Sequence, residues 1–91
     1  MWIRSQDKKQ LVNANELYIA TRSIGYCIST GKGIDLGTYA SEDKAIKVLD
    51  MIQDFEIRHQ ANLLLAIYQE SNDNAEENMV FQMPLDSEVE V

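Results

Sequence analysis

Two periodicities divide the chain near residue 40. Up to Tyr39, apolar and polar side chains alternate over short runs; after Ser41 they recur every three or four residues. Alternation is the period of a strand with one buried face, and the longer step is that of a helix with an apolar stripe. "WIRS" opens, "QDKKQ" is polar and turn-like, and "QLVNANELYIATR" and "IGYCIST" are rich in β-branched and aromatic residues. Leu17, Ile19 and Thr21 share one face of such a strand, as do Ile24, Tyr26 and Ile28, and Ile34, Leu36 and Thr38. A meander of hairpins is the simplest topology for these runs, and something apolar must cover its buried face.

The helix start is marked by Ser41, whose hydroxyl suits an N-cap, and by Glu42 and Asp43, whose charge suits the positive end of the helix dipole. Lys44 departs from a strict capping box. Ala45, Val48, Leu49, Ile52, Phe55, His59, Leu63, Ala66 and Ile67 then recur at helical steps with no glycine or proline between them. The pattern predicts a helix from Ser41 to about Glu70, about 45 Å long at ~1.5 Å per residue. Strands of five or six residues span only ~20 Å, so such a helix overhangs the sheet it covers.

The opposite stripe of the helix changes character along its length. It is charged at Asp43, Lys47, Asp50 and Asp54 and apolar at Ile57, Ala61, Leu64 or Leu65, and Tyr68. A helix apolar on two faces must be covered twice. Either a second copy of the chain packs against the distal half, or the helix breaks near Arg58–Gln60 and folds back; no breaker residue favours the second arrangement. The favoured expectation is a homo-oligomer, most simply a dimer, with Ile57, Ala61, Leu64, Leu65 and Tyr68 at its interface.

"STGKGIDLGTYASE" poses the question of a phosphate loop. A Walker A loop runs G-x-x-x-x-G-K-[ST] from a strand into a helix. Here five residues separate Gly25 from Gly31, Gly33 stands where the hydroxyl belongs, and another strand-like run follows before the helix. "GKG" therefore reads as a tight hairpin turn, which exploits the positive φ that glycine tolerates. Further on, "ESNDNAEEN" is polar and acidic and lacks the glycine and terminal glutamate of a calcium loop. "NMVFQMP" predicts a last short strand, with Val80 and Gln82 on one face and Met79, Phe81 and Met83 on the other. Residues 1–84 are expected to form a single α+β domain and the acidic 85–91 segment to fray.

Charge refines this picture. The 91 residues carry a net charge of −7. In residues 1–40, Arg4, Lys8, Lys9, Arg22 and Lys32 outweigh Asp7, Glu16 and Asp35; in the remainder, Lys44, Lys47 and Arg58 face twelve carboxylates. An acidic half repels a phosphate backbone, so a weak nucleic-acid binder using the five N-terminal cations, with Trp2, Tyr18 or Tyr26 as stacking partners, is the alternative reading. A protein partner with a basic surface suits the charge better.

Chemistry-bearing residues are sparse. His59, the single histidine, falls on the first apolar stripe of the helix, where a packed imidazole is the expected role. Cys27 alternates with Tyr26 and Ile28 in a strand and reads as an inert, half-buried thiol. Thirty-two residues separate the two, so they form no ligand cluster, and no metal, nucleotide or other cofactor is expected. The longest apolar stretch, "ANLLLAIY", is far shorter than the ~20 residues that cross a bilayer, and "MWIRSQDKKQ" lacks the apolar segment of a signal peptide. The expectation is a cytoplasmic protein without catalytic activity.

"IRSQD", "GTYASEDKAIKVLD" and "VFQMP" resemble small uncharacterised proteins of Gram-positive, Firmicutes-type bacteria and their phages or mobile elements. Those proteins share a Ser-Gln-Asp opening, a Tyr-x-Ser/Thr-Glu-x-x-Ala helix start and a terminal aromatic-x-Met/Phe-Pro strand. The resemblance implies a bacterial or phage cytoplasmic setting and no mechanism. The apolar extension from Ile57 to Tyr68 departs from the pattern. The fold class expected is α+β: an antiparallel meander of about four to five short strands packed by one long helix, with a final short strand.

Overall fold

Strand and helix periods separate in space as they do along the chain. The computed structural model describes residues 1–69 and 80–91 and, for residues 61–69, the helical backbone alone. Among the described residues the elements run β1 (Trp2–Arg4), β2 (Leu11–Asn13), β3 (Leu17–Arg22), β4 (Gly25–Thr30), β5 (Asp35–Tyr39), α1 (Glu42–Gln69) and β6 (Val80–Gln82), ending in a 3-10 turn at Asp86–Glu88. The architecture is α+β. β3, β4 and β5 form an antiparallel meander, and β2, β1 and β6 form a second three-stranded sheet in that order. β6 lies parallel to β1, with Ile3 beside Phe81.

The two sheets and α1 share one apolar core. Ile3, Ile28, Tyr39, Val48, Phe81 and Met83 are all buried within it. Ala45, Val48 and Ile52 present the buried stripe of α1, with Leu49, Met51 and Phe55 half-buried beside it. Phe55 meets Phe81 edge to face at 5.4 Å between centroids, so the helix is tied to both sheets. A fully buried side chain such as Ile28 or Val48 contributes ~1.5–3 kcal/mol by leaving water. Asp43, Lys47, Asp50 and Asp54 are exposed, in keeping with the charged stripe.

Ser41 caps α1 by accepting a 3.2 Å hydrogen bond from the Lys44 amide. α1 runs unbroken through Arg58–Gln60, so the fold-back expected of a helix broken there does not occur at that point. The "QLVNANELYIATR" run is divided into β2 and β3 because Ala14 turns inward. Its amide donates to the Met1 carbonyl at 2.9 Å, and the side chain is buried.

Three sequence expectations are corrected by packing. Ile24 does not share a strand face with Tyr26 and Ile28. It occupies the two-residue turn between Arg22 and Gly25 and is 73% exposed. Ile34, Leu36 and Thr38 do not keep one face, because a bulge opposite Ile28 and Ser29 inserts a residue. Beyond it Gly37 and Tyr39 turn to the core side, while Thr38 pairs with Cys27 on the outer face. Within the 85–91 segment, Asp86 to Val89 is docked rather than frayed, since Val89 is buried and Asp86 binds the start of α1, while Glu90 and Val91 are exposed.

Three stretches far apart in sequence, "IRSQD", "GTYASEDKA" and "VFQMP", meet at one hydrogen-bonded junction. From "IRSQD", the Gln6 amide donates to the Thr38 and Pro84 carbonyls at 3.2 and 3.1 Å, and its Oε1 accepts from the Thr38 amide at 3.0 Å. From "GTYASEDKA", the Tyr39 hydroxyl donates to the Pro84 carbonyl at 2.8 Å. Gly37 is needed here, because a Cβ would stand 3.0 Å from the Tyr39 hydroxyl and 3.2 Å from Met83 Cε. From "VFQMP", Phe81 and Met83 fill the core and Gln82 donates to the Ser5 carbonyl at 2.9 Å. Burial first, then the charges of Asp86 and Glu88, push the Tyr39 phenol well above its ordinary pKa, so it is a neutral donor at every physiological pH.

Candidate interaction surface

Among the described side chains of α1, which reach Gln60, Phe55 is the last packed against the core, and the helical backbone extends to Gln69. Ile57, the first residue of the expected interface, is 58% exposed, a large apolar side chain facing water. Ala61, Leu64, Leu65 and Tyr68 follow on the same helical backbone, and their side chains lie outside the described residues, as does Met79 of the last strand. His59 is half-buried and Arg58 exposed.

At "GKG" the chain forms the expected hairpin turn, with Gly33 at φ +82°. The turn consumes its own amides. Thr30 Oγ1 accepts from the amides of Lys32 and Ile34, the Thr30 carbonyl accepts from Gly33, and the Glu16 carbonyl accepts from Gly31. A phosphate cradle needs those N–H groups pointing outward. A groove of about 490 Å³ beside the turn is lined by Val12, Asn13, Glu16, Thr30, Lys32 and Ile34.

The outer face of β3, β4 and β5 carries a polar row. Arg22 donates to Asp35 at 3.1 Å, the Ser29 hydroxyl donates to the same carboxylate, and Cys27 Sγ lies 3.4 Å from Thr38 Oγ1. The Ser29 hydrogen bond, then the Arg22 contact, hold Asp35 below the usual carboxylate range. Cys27 is fully buried, not half-buried, because it sits on the central strand beneath its neighbours. A thiol so placed meets no reagent from solvent.

The five N-terminal cations are all exposed. Arg22 and Lys32 stand at opposite ends of the β3–β4 hairpin, and Arg22 is paired with Asp35. Tyr26, offered as a stacking residue, pairs with Tyr39 on the core side, while Trp2 and Tyr18 are 46% and 42% exposed.

The free edge of β3 has no signature in composition or motif, and sequence reading missed it. β4 is central, β5 is covered by Gln6, and β3 stands at the outer side of the sheet. Among the described residues, no group of three or more His, Cys, Asp or Glu is placed to hold a metal ion, and no helix is long and apolar enough to cross a membrane. No protein-family model, curated protein or solved structure matches the chain.

Proposed function

We propose that the protein is a non-enzymatic interaction module that self-associates through the distal half of α1, most simply as a two-fold dimer. The observation that carries this reading is Ile57, exposed on a helix whose backbone continues to Gln69, past Phe55, the last core-packed residue among its described side chains. The sequence then supplies Ala61, Leu64, Leu65 and Tyr68 at three- and four-residue steps. Pairing two such stripes about a two-fold axis covers both at once. The exposed, charged proximal stripe supports the same division of labour, since Asp43, Lys47, Asp50 and Asp54 keep the first half of the helix in water. The family resemblance supports a cytoplasmic setting in a Gram-positive bacterium or its phage.

Sedimentation velocity tests the reading. Leu64→Glu places a charge in the apolar contact and is expected to lower the assembly by one step at micromolar concentration. Asp50→Ala, on the solvated stripe, is expected to leave it unchanged. An unmutated chain that sediments as a monomer at high micromolar concentration removes the proposal.

A further inference from the structure

The hydrogen bonds of β3 alternate, and that alternation fixes which of its backbone groups are free. Arg22 and Gly25 flank a two-residue turn, so they exchange the narrow pair of ladder bonds; the continuous register gives Ala20 with Cys27 and Tyr18 with Ser29 the same pairing. The N–H and C=O groups of Leu17, Ile19 and Thr21 therefore point away from β4. Among the described residues no hydrogen-bond partner occupies them. The strand reads LYIATR, without the proline, lysine or bulge that commonly guards an edge.

We propose that this edge is a second self-pairing surface, at which β3 adds antiparallel to β3 of another copy and joins the two meanders into one six-stranded sheet. This inference goes beyond the helix reading and does not depend on it. Three registers about a two-fold axis bring at least two of these residues opposite one another with outward groups facing outward groups: those centred on Tyr18, Ile19 or Ala20. Only the register centred on Ile19 uses all the free groups, pairing Leu17 with the partner's Thr21 and Ile19 with the partner's Ile19.

That register also matches charge and shape. It sets Glu16 directly across from the partner's Arg22, at both ends of the contact. These are positions whose side chains approach closely because they exchange no hydrogen bonds across the new seam. Glu16 is exposed and, among the described residues, its carboxylate accepts no hydrogen bond; Arg22 spends one N–H on Asp35, leaving others of its five donors for a second carboxylate. Tyr18, exposed on the outer face, falls across from the small Ala20 of the partner. Centred on Tyr18 or Ala20 instead, the contact places no opposite charges across from each other. The occupant that fits is a second copy of this chain.

Two isologous surfaces per chain generate a closed tetramer or an open array. Sedimentation of the full chain and four variants tests this. Thr21→Pro removes an outward N–H that has no ladder partner in the monomer, and its folding is checked by circular dichroism. Glu16→Arg, at an exposed position, sets like charges across the seam and is expected to weaken the edge contact about tenfold. Either change is expected to lower the assembly by one step, to a dimer held by α1. Leu64→Glu is expected to leave a dimer held by the edge, and Thr21→Pro with Leu64→Glu a monomer. If the Leu64→Glu variant matches the unmutated dimer while Thr21→Pro gives monomers, edge pairing stands and the helix reading falls. If Thr21→Pro folds and both it and Glu16→Arg sediment like the unmutated chain, or if the unmutated chain is a monomer, self-pairing at the edge is overturned.

Discussion

The two outer strands of the β3–β4–β5 sheet are finished in different ways. Along β5, Gln6 stands in for a neighbouring strand: its amide and carbonyl bond the Thr38 backbone on both sides, while the Gln6 backbone amide donates to the Leu36 carbonyl at 2.7 Å. Along β3, the outward groups of Leu17, Ile19 and Thr21 meet no such substitute among the described residues. One sheet thus has a closed edge and an open one. The closed edge belongs to the junction that ties both ends of the chain to the start of α1, and the open edge faces away from it. An edge buried by the fold must be satisfied internally, whereas an edge left in water is satisfied by solvent until a partner replaces it.

Breaking the closed edge should produce the largest effect. Gln6→Ala strips partners from the Thr38 amide and carbonyl and removes a donor from the Pro84 carbonyl, and part-buried groups left unpaired are costly. A loss of about 2 kcal/mol is expected in urea unfolding, with an unchanged slope against denaturant. A loss below ~0.5 kcal/mol would show that water replaces Gln6 and that the two edges are equivalent.

A smaller effect is expected from the tether that holds the closed edge to α1. Asp86 accepts from the Ala40 amide at 2.8 Å and pairs with Lys44 at 3.1 Å, and these contacts, the amide first, hold its carboxyl below the ordinary range. A carboxylate with a lowered folded pKa stabilises the fold above its unfolded pKa, near 3.9, and loses that contribution as pH falls through the folded value. Asp86→Asn is therefore expected to be less stable than the unmutated chain at pH 7, with the gap closing below about pH 4. Paired urea titrations at pH 7 and pH 3 measure it; a gap that persists undiminished at pH 3 would assign the loss to packing instead.

The open edge should give the smallest response in stability. Thr21→Ala removes an exposed side chain from β3 and leaves its backbone ladder intact, so unfolding is expected to shift by no more than ~0.5 kcal/mol. Measured below the concentration at which copies associate, a larger loss would mean that β3 is covered within the monomer. That result would erase the contrast between the edges.

Much of the fold was legible from the chain itself. The Ser41 cap, the buried stripe Ala45, Val48 and Ile52, the "GKG" turn and the last strand with Phe81 inward all follow from short-range periodicity and backbone preference. The proposed interface positions are legible only as a stripe in the sequence: Ile57 is exposed, and the side chains of Ala61, Leu64, Leu65 and Tyr68 lie outside the described residues. Ile24 and Thr38 misled because alternation holds only inside an unbroken ladder, and a two-residue turn and a bulge each end it.

Local sequence thus determined where the elements begin, which face of each is apolar and where the chain turns, because those properties are set within a few residues by hydrogen bonding, φ preference and side-chain period. Tertiary structure alone decided that β6 returns to lie parallel to β1, that Gln6 closes one edge of the meander, and that the stretch from Asp86 to Val89 docks on the fold. Each of these joins residues dozens of positions apart. No local preference distinguishes a glutamine that solvates itself from one that replaces a strand; only the assembled core, by removing water from the Thr38 and Pro84 backbone groups, makes the difference.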